Sequence, residues 1–499
     1  MLFNTLDFFA FLLAALLLFL ILPRWRKWVV LGASLLFYGS YSPAILALLM
    51  ITVAANYLGA RRIAPNRAVI EGSYPAGSDI QSAASVSSSR QDLSREPSLD
   101  PIHLRNRRWI LAGCVSLNMA FLGFFKYTSM LLYWGGMAVV QEPLEAPFDI
   151  LLPVGISFYT FQITSYVVDV YRGQKPEEDY SKLLLFTVYF PQLVAGPIER
   201  ASRLLPELNF SGKVPAEMVR TGLLLCLWGY FKKVYVADNL SPLVDYILVL
   251  EDPPAGAMAF ATVLFPLQLY ADFTGYTDIA RGLSRMMGIE LSLNFFHPFL
   301  STNHIEFWRR WHITLGAFLR DYLYIPMGGN RVGAGRAIFN IMLVWALGGL
   351  WHGATAGYFI WGLYCGILVA VTGATLPLIQ AALHKYSGLR PWLAGSGRLF
   401  TFLTFALGLL ILRAPGADRL VEMLFLLGAD GPQWIDPDYI LLSLVYLIPM
   451  LVWELWRILS REEEPWQTSW VMYPTAFLWI TLIWVAGRFE AKEFFYFQF

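Results

Sequence analysis

The chain has 499 residues, 57% of them hydrophobic, 16% aromatic and only 15% charged, where an average soluble domain carries about 25% charge. Its net charge of +1 excludes a strongly basic nucleic-acid binder. Apolar runs near the roughly 17–25 residues that cross a bilayer recur from end to end. They are continuous rather than alternating, so the expected fold class is an all-α polytopic membrane protein, not a barrel.

The first apolar run, residues 6–22, has no Lys or Arg before it and is followed by Arg24, Arg26 and Lys27. A cleavable signal peptide carries its positive charge in front. The run is therefore expected to be an uncleaved first span, with the N-terminus outside and the basic cluster in the cytoplasm. Residues 28–60 end at a second basic pair, Arg61 and Arg62. Basic clusters at both ends belong on one side, which predicts a hairpin turning at Gly39, Ser40, Ser42 and Pro43. Its arms, about 15 residues each, are short for full crossings. Residues 64–104 are polar, Ser-rich and almost without aromatics, and are expected to form a disordered cytoplasmic loop closed by Arg105, Arg107 and Arg108. This divides the chain into N-terminal helices at 1–63, a loop at 64–108 and a membrane core at 109–499.

The core opens with a span from Trp109 to Trp134, interrupted by Lys126, which either snorkels or pairs inside the bundle. Leu151 to Gly173 mixes Gly155, Ser157, Thr160, Gln162, Thr164 and Ser165 with aromatics. That composition suits helix–helix packing or a cavity wall. Residues 182–200, broken by Pro191, Gly196 and Pro197, predict a bent or re-entrant segment inside protein. Residues 217–250 supply another helix or two around Lys232 and Lys233. Residues 255–287 carry Gln268, Asp272, Thr274, Asp278 and Arg281, the last two spaced i,i+3 for a pair on one helix face. Later spans are expected at about 338–352, 356–373, 397–413, 437–458 and 470–487, for roughly 10–12 crossing or half-crossing helices. The three cysteines, Cys114, Cys226 and Cys365, have apolar neighbours and no CxxC spacing, as buried inert thiols do.

Four of the six histidines, His297, His304, His312 and His352, lie between Phe295 and Gly353. Ionisable groups are costly at membrane depth, so this stretch is the candidate site. No GxSxG, GxxxxGK[ST] or HExxH motif is present, which leaves serine-hydrolase, NTPase and zincin chemistry without support. His304 and His312 match no standard metal-ligand spacing. Trp308 and Trp311 beside Arg309 and Arg310 read as belt aromatics. Equally, Arg309, Arg310 and Arg320 make a cationic rim suited to phosphate, with His312 at its inner edge. His352, among Gly348, Gly349 and Gly353, is either a packing histidine or a neutral imidazole available as a base.

Six segments resemble the membrane-bound O-acyltransferase (MBOAT) family, in particular its bacterial alginate O-acetyltransferase branch. They are LLPVGISFYTFQ (Leu151 to Gln162), FPQLVAGPIER (Phe190 to Arg200), DFTGYTDIARG (Asp272 to Gly282), FWRRWHITLGAFLRDYLYIPMGGNR (Phe307 to Arg331), GGLWHGA (Gly348 to Ala354) and the terminal FFYFQF. The resemblance implies a ring of helices around a central tunnel in the bacterial inner membrane, where the N-terminus placed outside by the basic cluster is periplasmic. No bound cofactor is implied: acetyl-CoA is the donor substrate, entering from the cytoplasm. The family's histidine falls on His352, and a second polar position, Asn in other branches, falls on His312.

On that basis His352 is the expected general base and His312 the group that steadies the oxyanion. Arg309, Arg310 and Arg320 are expected to bind the donor, and Gln162, Asp272, Asp278 and Trp351 to line the tunnel. Tyr496, in the aromatic tail, is either a membrane anchor or an acyl relay to an external partner. The expected partners are a periplasmic SGNH-type O-acetyltransferase, through it a polysaccharide acceptor, and membrane lipid. D-alanyl export is the alternative activity. A non-enzymatic transporter with a histidine proton relay is the alternative class, and it predicts flux that needs no acyl-CoA.

Overall fold

The computed structural model describes residues 3, 5–64, 101–139, 142, 144, 152–193, 196–250, 253–414, 416–428, 436–460 and 469–489. Most of the expected Ser-rich loop, the charged residues 461–466 and Tyr496 lie outside the described residues. From the N-terminus run α1 (Leu6–Ile21), α2 (Arg26–Gly39), α3 (Pro43–Ile63), α4 (Pro101–Val139), α5 (Ile156–Tyr171) and α6 (Tyr180–Val188). The middle holds α7 (Ala216–Tyr230), α8 (Asp238–Val249), α9 (Ala255–Met286) and two short helices, α10 (His304–Arg310) and α11 (Ile313–Leu319). The chain continues as α12 (Ala334–His352), α13 (Ala356–Lys385), α14 (Arg390–Arg413), α15 (Ala417–Gly428), α16 (Pro437–Ser460) and α17 (Ser469–Ala486). Among the described residues the only β pairing is one antiparallel bridge, Phe295 to Trp311.

Among the described residues seven helices, α3, α4, α9, α12, α13, α14 and α16, are long and apolar enough to cross a membrane. The expected first span is more complicated. α1 has 16 residues, roughly 24 Å at 1.5 Å per residue, and the chain turns by 108° into the next helix. Pro23 starts the short turn between them. The hairpin turn expected at 39–43 is present: α2 ends at Gly39 and Ser42 caps α3, accepting from the Ile45 N–H.

Asp272, Asp278 and Arg281 sit on α9, the most buried of these seven helices. In α9, 72% of the apolar window is buried, against 17% in α4 and 22% in α13. α9 approaches α7 closely because glycines face each other: a Cβ on Gly229 would lie 2.7 Å from the Gly275 carbonyl oxygen. Between α7 and α8 the backbone widens into a π-helical turn, Phe231–Ala237. It carries the buried Lys232 and Lys233 against α9. Residues 183–193, expected to bend inside protein, are all buried, with α6 ending at Val188 and a further helical turn at Phe190–Leu193.

α12 and α13 form a second close pair. A Cβ at Gly349 would run into the Tyr358 carbonyl and sit 3.0 Å from Gly362 Cα. Gly349→Ala is expected to lose about 1–3 kcal/mol of stability through overpacking, read as a lower melting temperature of the purified protein in detergent.

A candidate active site between two histidines

His312 and His352 come from different parts of the fold. His312 is buried and joins α10 to α11 in the left-handed region, at φ 47°. His and Asn are among the few non-glycine residues enriched there. The segment around it is clamped. The Asn294 carbonyl accepts from Ile313 N–H at 2.9 Å, and Asn294 Oδ1 accepts from Thr314 N–H and Oγ1 at 3.2 and 3.0 Å. The Ile198 N–H donates to Thr314 Oγ1 at 3.0 Å. His352 is the last residue of α12.

The two imidazole centroids lie 6.2 Å apart. At that separation the two rings are near neighbours and border the same small region of the bundle. The walls are aromatic. Trp351 and Trp361 stand 4.9 and 5.2 Å from His352, and Phe273 of α9 stands 4.9 Å from His312. Trp351 stacks on Phe161, which stacks on Phe318 at 4.1 Å.

The end of α12 is held by α4. Lys126 Nζ donates to the Trp351 carbonyl at 2.5 Å and the His352 carbonyl at 3.2 Å, and lies 3.3 Å from Ser157 Oγ. Tyr127 Oη donates to the Leu350 carbonyl at 2.8 Å. The final carbonyls of a helix lack internal partners and carry partial negative charge, so the half-buried ammonium both satisfies and attracts them. Of the two fates expected for Lys126, pairing inside the bundle is the one observed.

The other expected site residues scatter. Trp351 belongs to the site wall, with its Nε1–H donating to the Ser157 carbonyl at 3.3 Å. Gln162 instead donates to the Phe186 carbonyl at 2.7 Å and accepts from Gln192 at 3.2 Å. Asp272 is paired with Lys233 at 2.8 Å and Asp278 with Lys232 at 2.6 Å. Of the arginines, Arg310 pairs with Glu306 at 2.7 Å and Arg320 with Asp321 at 2.7 Å, while Arg309 is exposed. Arg200 also pairs with Asp321. Burial raises the Asp321 carboxyl, but hydrogen bonds from Arg320 and Arg200 outweigh it and leave it below the usual carboxylate range. Trp308 and Trp311 are not belt aromatics: Trp308 packs 4.6 Å from Trp345, and Trp311 is buried 5.1 Å from Phe405. His304 hydrogen-bonds Thr404 at 2.9 Å.

A model of the membrane-bound O-acyltransferase (MBOAT) family matches residues 114–407, more than half of the chain, with both histidines inside the match. The chain belongs to this family. Within it, this MBOAT chain is 38% identical over 333 residues to the probable alginate O-acetylase AlgI of Pseudomonas aeruginosa, across 64% of the chain and 61% of that relative. It is 32% identical over 407 residues to the peptidoglycan O-acetyltransferase of Helicobacter pylori, across 74% and 70%. The teichoic acid D-alanyltransferase of Bacillus subtilis is 30% identical over 244 residues, across 46% and 60%. The match to the Pseudomonas protein thus spans only about three fifths of its length.

Proposed function

We propose that this chain is an O-acyltransferase that takes acetyl from acetyl-CoA at the cytoplasmic face of a bacterial inner membrane. It passes the acetyl outward for O-acetylation of an extracytoplasmic, alginate-like polysaccharide. The observation that carries this reading is the His352–His312 pair, 6.2 Å apart between aromatic walls, inside the region matched by the family. The relatives named for alginate and peptidoglycan O-acetylation support acetyl as the acyl group. A periplasmic SGNH-type transferase completes delivery to the polysaccharide, and the N-terminus faces the periplasm. Tyr496 is the candidate relay to that partner.

In this mechanism His352 takes the proton from an acceptor hydroxyl. The oxygen attacks the thioester carbonyl carbon, and the developing oxyanion meets the imidazole N–H of His312. The C–S bond then breaks, and the CoA sulfur takes the proton back from His352. The new ester leaves outward and CoA returns to the cytoplasm. Arg309, with Arg310 and Arg320, receives the CoA phosphates.

The test is label transfer. Inverted membrane vesicles expose the cytoplasmic face and are given acetyl-labelled acetyl-CoA. Vesicles with this protein and its acceptor should accumulate alkali-labile label, and vesicles from a deletion strain should not. If the two accumulate label equally, the proposal fails.

Lys126 has a positioning role in this scheme. Lys126→Met is expected to lower the initial rate by about 10- to 100-fold, because a base displaced by an ångström loses that much. Lys126→Arg should recover part of the loss. Both rates are read in the vesicle assay at matched membrane levels of protein.

A further inference from the structure

A second polar cavity lies across the Asn294–Phe295 segment from His312. The Phe295 ring borders both sides: it stacks parallel to His312 with centroids 6.4 Å apart, and it lines this cavity. The polar wall includes Trp228, Lys232, Asp278, Arg281, Asn294 and Arg457. Lys232 and Arg281 lie 2.6 and 3.7 Å from Asp278, Arg281 lies 3.4 Å from Glu290, and Arg457 lies 3.0 Å from Glu454. Arg285 joins at Glu290, 2.6 Å away, and His297 at Glu454, 3.2 Å away. In these ion pairs four Lys and Arg cations face three carboxylates.

Two further groups on the same wall are donors. Asn294 Nδ2 and Trp228 Nε1 are buried, at 0% and 1% residue exposure, and have no hydrogen-bond partner among the described residues. Buried N–H groups in folded proteins are paired with protein or with something bound. Asp278, the carboxylate on this wall, is engaged by Lys232 and Arg281 and serves neither N–H group. A cation would meet three positive side chains, and an apolar group would leave both N–H donors unmet.

We infer that the cavity binds a small inorganic anion, of chloride or phosphate size. It is held by Trp228 Nε1 and Asn294 Nδ2 and balanced by Lys232, Arg281 and Arg457. The site is separate from the His312–His352 pair and does not depend on the proposed reaction. It is nevertheless linked to that pair, because Asn294 also clamps Ile313 and Thr314 next to His312. A bound anion fixes the Asn294 amide from the side opposite that clamp.

The test uses the purified full chain in detergent, in sodium gluconate, titrated with sodium chloride or sodium phosphate at constant ionic strength. The expected result is a saturable rise in melting temperature with at least one of the two anions. Response to chloride alone marks a halide site, and response to phosphate at lower concentration marks an oxyanion site. Trp228→Phe keeps the aromatic packing and removes the N–H, and should raise the half-saturating concentration by about tenfold, the loss of one hydrogen bond to a charged group. If that variant does not accumulate, crystals of the unaltered protein soaked in bromide should show an anomalous peak between Trp228 and Asn294. No saturable rise, an identical response from Trp228→Phe, or the absence of that peak would overturn the site and leave water as its occupant.

Discussion

His352→Ala is expected to lower the initial rate of acyl transfer by roughly 10²- to 10⁴-fold, the contribution typical of a positioned general base. The protein should still reach the membrane. His352 ends α12, and its backbone carbonyl, not its ring, bonds Lys126. Removing the imidazole therefore leaves the Lys126 anchor and the Gly349–Gly362 contact in place. His312 is a different case. Its ring serves the oxyanion, so His312→Ala should cost about 10²- to 10³-fold. Its backbone is left-handed, which asparagine tolerates better than alanine. His312→Asn should therefore retain more activity than His312→Ala. Initial rates in inverted vesicles, normalised to protein in the membrane, check all three.

Lys233→Met should be the most damaging single change to stability. Lys233 Nζ lies 2.8 Å from both Asp272 and Asp238, and all three side chains are at most 5% exposed. Removing the cation strands two buried carboxylates, and breaking a buried pair in this way costs about 3–5 kcal/mol. That is a large share of the roughly 5–15 kcal/mol that holds a typical domain together. The variant should be nearly absent from membranes. Asp272→Asn, which leaves Lys233 one carboxylate, should accumulate at an intermediate level, read by quantitative blotting of membranes. The site would feel the loss as well: Phe273, next to Asp272 on α9, packs against His312.

The sequence shows the long helices because an apolar run of bilayer length has one answer. The turn at 39–43, the bent segment near Pro191 and the Asp278–Arg281 pair, 3.7 Å apart, are also visible there, since Pro, Gly and i,i+3 spacing are local signals. Contacts made across the bundle are not. That Asp272 and Asp278 pair with Lys233 and Lys232, 39 and 46 residues away in sequence on a π-helical turn that no periodicity marks, is one of them. Lys126 is visible as an interruption of an apolar run. That it caps a helix ending 226 residues later is a tertiary fact. Trp308 and Trp311 resemble a membrane belt because aromatics beside arginines have the same composition in a packed cluster. His312 and His352 could be singled out from chemistry at membrane depth, but the residues alone left packing and catalysis open for both. Their separation of 6.2 Å required the fold.

The most direct test is alkali-released acetate from envelope polysaccharides of a deletion strain carrying either the unaltered gene or His352→Ala, with equal amounts of both proteins in the membrane. Acyl transfer at His352 predicts ester acetate restored by the unaltered protein and held at the deletion level by His352→Ala. Ester acetate restored equally by both would contradict it.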